Sequence, residues 1–116
     1  MYVINYKQRE AIDIEMAGSR GAKMRWLVGV RTGASTFAMR HFEIAPGGKV
    51  PLHTHAEEHE VFVLGGKARL LGSAEDQFAQ KDDVIFIPSE APHGYDNSKS
   101  TEPFTFICVI PILNRE

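Results

Sequence analysis

The chain has 116 residues, 43% of them hydrophobic and 24% charged, with a formal net charge of −2. That is enough apolar material for one domain to build its own core, and the near-neutral balance leaves no basic footprint for nucleic acid or an anionic membrane surface. The longest apolar runs, VFVL (61–64), VIFIP (84–88) and FTFICVIPIL (104–113), are shorter than the roughly 18–20 residues that cross a bilayer as a helix.

The opening stretch MYVINYKQREAIDI (1–14) has no apolar h-region and no small-residue cleavage site, so no signal peptide is expected in it. A weak helical period around residues 7–16 is the one helix-like pattern. Residues 1–24 are expected to form an N-terminal strand or arm, with contact to a dimer partner as one role for it. Strands are then predicted over MRWLVGV (24–30), STFAMRHFEI (35–44), HEVFVLG (59–65), KARLLG (67–72), DQFAQ (76–80), DVIFIPS (83–89), HGYDN (93–97) and PFTFICVIPI (103–112). Glycine, proline and asparagine punctuate them at GAS (33–35), APGGKVP (45–51), GG (65–66), GSAED (72–76), SEAP (89–92) and NSKSTEP (97–103). About eight short strands at this spacing predict an all-β sandwich or barrel. The runs at 61–64 and 104–110 are apolar on both faces, so each face needs cover from a second sheet or a partner subunit; a homodimer is expected. A single cysteine, Cys108, allows no intrachain disulfide and fits a reducing, cytoplasmic setting.

Three of the five histidines fall in PLHTHAEEHEVFVLGG (51–66), as His53, His55 and His59, with Glu60 next in the chain. Residues two apart on a strand share a face, whereas on a helix they diverge by about 200°, and Pro51 disfavours a helix here. His53-x-His55 is therefore a strand-borne pair. A turn over 56–58 brings His59 back toward it, and His93 follows a second turn in PSEAPHGYDN (88–97). Imidazole suits most first-row divalent ions, and four converging imidazoles would make a neutral set. A solvated polar loop is the competing reading.

The two stretches resemble the paired motifs of the cupin superfamily, specifically its small single-domain, conserved-barrel members. The first motif reads Gly, five residues, His-x-His, three or four residues, Glu, six residues, Gly. Gly47, His53, His55, position 59 and Gly66 keep that spacing, with His59 in the glutamate slot. The second reads Gly, five residues, Pro-x-Gly, two residues, His, three residues, Asn. Pro88, His93 and Asn97 match it, while Asp82 and Glu90 replace the two glycines. The resemblance covers about residues 25–112 and implies a jelly-roll β-barrel (a double-stranded β-helix) as a single domain with a metal inside. It implies His53, His55, His59 and His93 as ligands of one divalent transition metal per chain, manganese or iron first, with nickel, zinc, copper and cobalt also accommodated. Glu60 is the alternative ligand, because the family tolerates a four-residue gap.

Beside these, Arg40 shares a strand face with Phe42 and Ile44. An inward arginine would need an anionic partner, such as a carboxylate-bearing substrate; a surface ion pair is the alternative. Phe106, Cys108 and Ile110 share a face of the last strand and read as an apolar pocket wall, with Cys108 as a small buried hydrophobe. Tyr95 shares the face of His93, either lining the pocket or packing in the core. Trp26 reads as core or interface, and His41, facing away, receives no role. The expected function is a metal-dependent oxygenase or dioxygenase acting on a small molecule. The alternatives are a metal-dependent isomerase or decarboxylase, and a non-enzymatic ligand-binding module.

Overall fold

The computed structural model describes residues 1–113. Nine strands form it: β1 (Ile12–Asp13), β2 (Arg20–Val28), β3 (Phe37–His53), β4 (His59–Gly65), β5 (Lys67–Leu71), β6 (Gln77–Gln80), β7 (Val84–Ile87), β8 (His93–Asp96) and β9 (Phe104–Pro111). They are hydrogen-bonded in the order β6-β5-β8-β3-β9-β4-β7, with β2 joining β3, and β1 joining β2. Every pairing is antiparallel. The result is the expected all-β, nearly closed jelly-roll barrel. No helix among the described residues is long and apolar enough to cross a membrane.

Strand period two builds the core. In β9, Phe104, Phe106, Cys108 and Ile110 are buried and the alternate residues are not. Val61 and Val63 of β4 face them, and Ala38 and Ile44 come from the first half of β3. The Phe42 and Phe106 rings stack at 4.9 Å, and Tyr95 lies 4.8 Å from Phe106. Outward-facing Phe62, Leu64, Val84 and Phe86 on β4 and β7 are exposed, so both faces of this part of the sheet are apolar.

Two expectations are corrected. The helical period at 7–16 resolves into a single 3-10 turn, Tyr6–Gln8, followed by the two-residue β1. Asn5 caps that turn, and its Oδ1 accepts from the Lys7 amide. Arg25 then pins the arm by donating to the Tyr6 and Arg9 carbonyls, and Tyr6 packs on His41 at 4.7 Å. Tertiary contacts, not helical propensity, hold this segment.

The break expected at APGGKVP does not occur, because β3 runs for 17 residues through it. Gly47 adopts φ +82°, and the β2–β3 register shifts there between Arg20 and Ala22. At Gly48 a side chain would sit 2.7 Å from the Arg20 carbonyl. The glycines thus bend the strand by a bulge instead of ending it. One half of β3 can then pair with β2 and β9, and the other with β8.

Candidate metal centre

The bend in β3 positions the histidines. Its far end pairs with β8, setting His53 opposite His93 although forty residues separate them. His59 opens β4, opposite Ile87 of β7. His55 lies in the turn after β3. That turn is held from across the barrel, because the Glu90 amide donates to the His55 carbonyl at 2.7 Å and the Ser89 hydroxyl to that of Ala56. The four rings converge. Centroid separations are 4.6 Å for His53–His55, 4.3 Å for His53–His93, 5.3 Å for His55–His59, 5.5 Å for His55–His93 and 4.8 Å for His59–His93.

Ring nitrogens of His53, His55 and His93 all lie within 4.8 Å of one another. This is close to the roughly 4.2 Å between opposite ligands of an ion with bonds near 2.1 Å. His59 packs against the cluster but falls outside that set of three. Glu60 is exposed and points away, as the alternation of β4 requires.

Hydrogen bonds pre-set two of the imidazoles. His53 Nδ1 lies 2.7 Å from the Pro51 carbonyl and His93 Nδ1 lies 2.9 Å from that of Ala91. A carbonyl only accepts, so Nδ1 carries the proton in each and Nε2 presents its lone pair. The His93 Nε2 is buried and has no hydrogen-bond partner. Buried polar atoms are rarely left so, and carbonyl-tied Nδ1 with free Nε2 is the arrangement that orients imidazole toward a metal. The residues present therefore fit a divalent ion.

The electrostatics agree. Burial lowers the His59 pKa to about 3, with the Arg40 charge adding to the effect. Burial also lowers His93 to about 4, against the opposing pull of the Ala91 carbonyl, and it lowers His55 too. In His55, His59 and His93 burial thus favours the neutral form, which coordination requires.

Arg40 points inward. Its Nη2 donates to Cys108 Sγ at 3.4 Å, and that sulfur lies 3.3 Å from His59 Nδ1. Its guanidinium carbon stands 4.8 Å from the Phe42 ring centre and 5.7 Å from that of Trp26. Burial raises the Cys108 pKa, opposed by Arg40. Tyr95 and Phe106 lie buried in the core, and burial raises the Tyr95 pKa. Ile110 and Trp26 line a cleft of about 510 Å3 at one end of the barrel, shared with Ala38, Arg9, Ile12 and Glu57.

Sequence reasoning gave Asn97 no role beyond a motif match. It is fully buried, and its Nδ2 donates to the Ile44, Ala45 and Glu102 carbonyls, tying the β3 bend to the loop after β8. Its spacing from His93 was the available signal. Nothing in the sequence marked Arg9 or Ile12 as cleft walls.

The cupin domain model matches residues 40–110. A 1-methylthio-D-xylulose 5-phosphate methylsulfurylase of Rhodospirillum rubrum is 30% identical over 76 residues; that match covers 65% of this chain and 47% of the relative, so the chain spans about half of that protein's length. Among solved structures, the polyketide cyclase RemF of Streptomyces resistomycificus superposes with a TM-score of 0.87 at 29% identity, over 96% of this chain and 79% of RemF. A sugar phosphate isomerase of Silicibacter pomeroyi superposes with a TM-score of 0.79 at 22% identity, over 95% of this chain and 75% of the isomerase, a likeness of fold. The spaced histidines, the bent third strand and the matched span together place this chain in the cupin domain family.

Proposed function

We propose that this chain is a divalent-metal cupin enzyme acting on a small oxygen-bearing molecule, with His53, His55 and His93 as ligands and His59 as the fourth. The observation that carries this reading is the convergence of four imidazoles, two of them with Nδ1 tied to a carbonyl, and with the His93 Nε2 buried and unpartnered. A bound ion would supply Lewis-acid polarisation of a substrate oxygen. The chain's own groups orient the imidazoles and hold a fixed positive charge at Arg40, whose Nη2 donates to Cys108 beside His59. The names of the relatives denote ring closure and isomerisation, and both can proceed on a polarised carbonyl, which favours a non-oxidative reaction. The dioxygenase expected from the sequence is the second reading, favoured by the suitability of imidazole sets for iron.

Metal analysis after expression with manganese or iron should find about one ion per chain. His59→Ala should reduce metal retention far more than Glu60→Ala, since Glu60 points outward. No bound metal after reconstitution, or the reverse order of the two variants, would overturn the ligand assignment. Oxygen uptake with small carboxylates, diketones or thiols would move the reaction to the second reading.

A further inference from the structure

Arg40 is an inward cation that forms no ion pair among the described residues. Among the described residues the one ion pair is Arg69–Asp76, on the surface. Among the described residues, the single polar contact of the Arg40 guanidinium is the Cys108 sulfur, a weak acceptor, and its Nε is buried with no partner. The neighbouring imidazoles carry no negative charge, so they cannot offset it. Glu57 and Glu90 act on His55 and Glu60 acts on Cys108, but none of the three forms an ion pair with Arg40. With a divalent ion present, the centre would carry a charge of about +3 and no ligand carboxylate. Leaving such charge uncompensated inside an apolar barrel is costly.

The space beside Arg40 is shaped for an organic molecule. Trp26 both faces the Arg40 guanidinium and lines the 510 Å3 cleft, together with Ala38 and Ile110 from the barrel interior. That volume lies within the usual range for small-molecule sites, roughly 300–1,000 Å3. Arg40 does not itself line the cleft, whose charged residues are Arg9, Glu10, Arg31 and Glu57; Trp26 joins the two, with its ring centre 5.7 Å from the Arg40 guanidinium carbon.

Resting on the proposed metal-enzyme reading, we infer that the substrate is a small organic oxyanion. Its carboxylate or phosphate is taken by Arg40, and its apolar body lies in the cleft against Trp26 and Ile110. Arg40 is then the residue that selects the charge of the substrate, and Cys108 is its rest partner when no anion is bound.

Trp26 is the only tryptophan in the chain, so its fluorescence reports binding directly. Benzoate, phenyl phosphate and the neutral benzyl alcohol are titrated into metal-free and manganese-loaded protein. At least one anion should bind about tenfold or more tighter than the alcohol, the worth of a charge-assisted hydrogen-bond pair, and the better of the two identifies the oxyanion. Arg40→Gln should remove that preference in the metal-free protein, and Arg40→Lys, which keeps the charge but loses the fork, should retain part of it. Metal content should be unchanged in both. Equal binding of anions and alcohol by the unmodified chain overturns the inference, as does an anion preference that survives Arg40→Gln. If Arg40→Gln does not fold, the selectivity of the unmodified chain and of Arg40→Lys decides. An Arg40-dependent preference in a protein that takes up no metal would sustain the oxyanion site and sink the metal reading alone.

Discussion

Asp82 and Glu90 are the two non-glycine residues with positive φ among those described, at +74° and +66°. They stand where the cupin motif carries glycine, so the chain keeps the backbone shape while losing the residue that adopts it freely. The reason differs at each. The Asp82 amide donates to the Val63 carbonyl in the turn that enters β7, and the Glu90 amide holds the His55 carbonyl. Both bonds need the left-handed turn, and both side chains are exposed. Asp82→Gly and Glu90→Gly should each stabilise the fold by about 0.5–1 kcal/mol, read as a higher urea midpoint. A lower midpoint for either would show that its side chain makes a compensating contact. Gly66 shows the opposite case, since a side chain there would lie 2.2 Å from the Pro103 carbonyl. The motif departs from glycine only where a side chain has room.

Strands β7, β4, β9 and β3 present one continuous outer face. Phe62 pairs with Val84 on one side and Ile107 on the other, while Val109 pairs with Met39. Val84 is 76% exposed and Phe86 63%. Soluble monomers seldom leave apolar patches much beyond a few hundred Å2 uncovered, and β7 is also an edge strand, open to further pairing. We propose that a second copy of the chain covers this face, as the two-sided apolar runs at 61–64 and 104–110 led us to expect. Light scattering should give the mass of two chains, and Phe86→Glu should shift it toward one. A monomer at millimolar concentration would end the proposal. The same elements show how far pattern reading reaches. Strand-forming runs bounded by turn residues identified β4 and β9 within a residue or two. The same rule split β3 at APGGKVP, because a bulge and a strand end use the same residues and only the pairing partners distinguish them.

Taken as a whole, the metal-free protein holds His41, His55, His59 and His93 with folded pKa values below the ordinary histidine value. Burial is the main cause for His41, His55, His59 and His93, and the last two fall to about 3 and about 4. Below pH about 6.5 the unfolded chain protonates these groups and the folded chain does not. Stability is therefore fully present above that pH. It declines as pH falls from about 6.5 toward the folded values. Urea midpoints of the metal-free protein should fall between pH 7.5 and pH 5, before most carboxylates titrate. A flat profile over that window would mean that the imidazoles are not held neutral by the fold.

The sequence by itself determined the all-β class, most strand positions, the inward stripe Phe104–Phe106–Cys108–Ile110 and the histidines that meet. These depend on local rules, namely the two-residue strand period, the residues that turns require and fixed spacing within a motif. That only one of His59 and Glu60 can face the cluster is local too, because neighbours on a strand face opposite ways. Only the tertiary structure decided that His53 pairs with His93, that Asn97 clamps the bend in β3, that the arm at Arg9 and Ile12 walls the cleft, and that Arg40 meets a sulfur where a carboxylate would satisfy it. Each of these joins residues far apart in the chain, and which distant partners meet is set by the closing of the barrel.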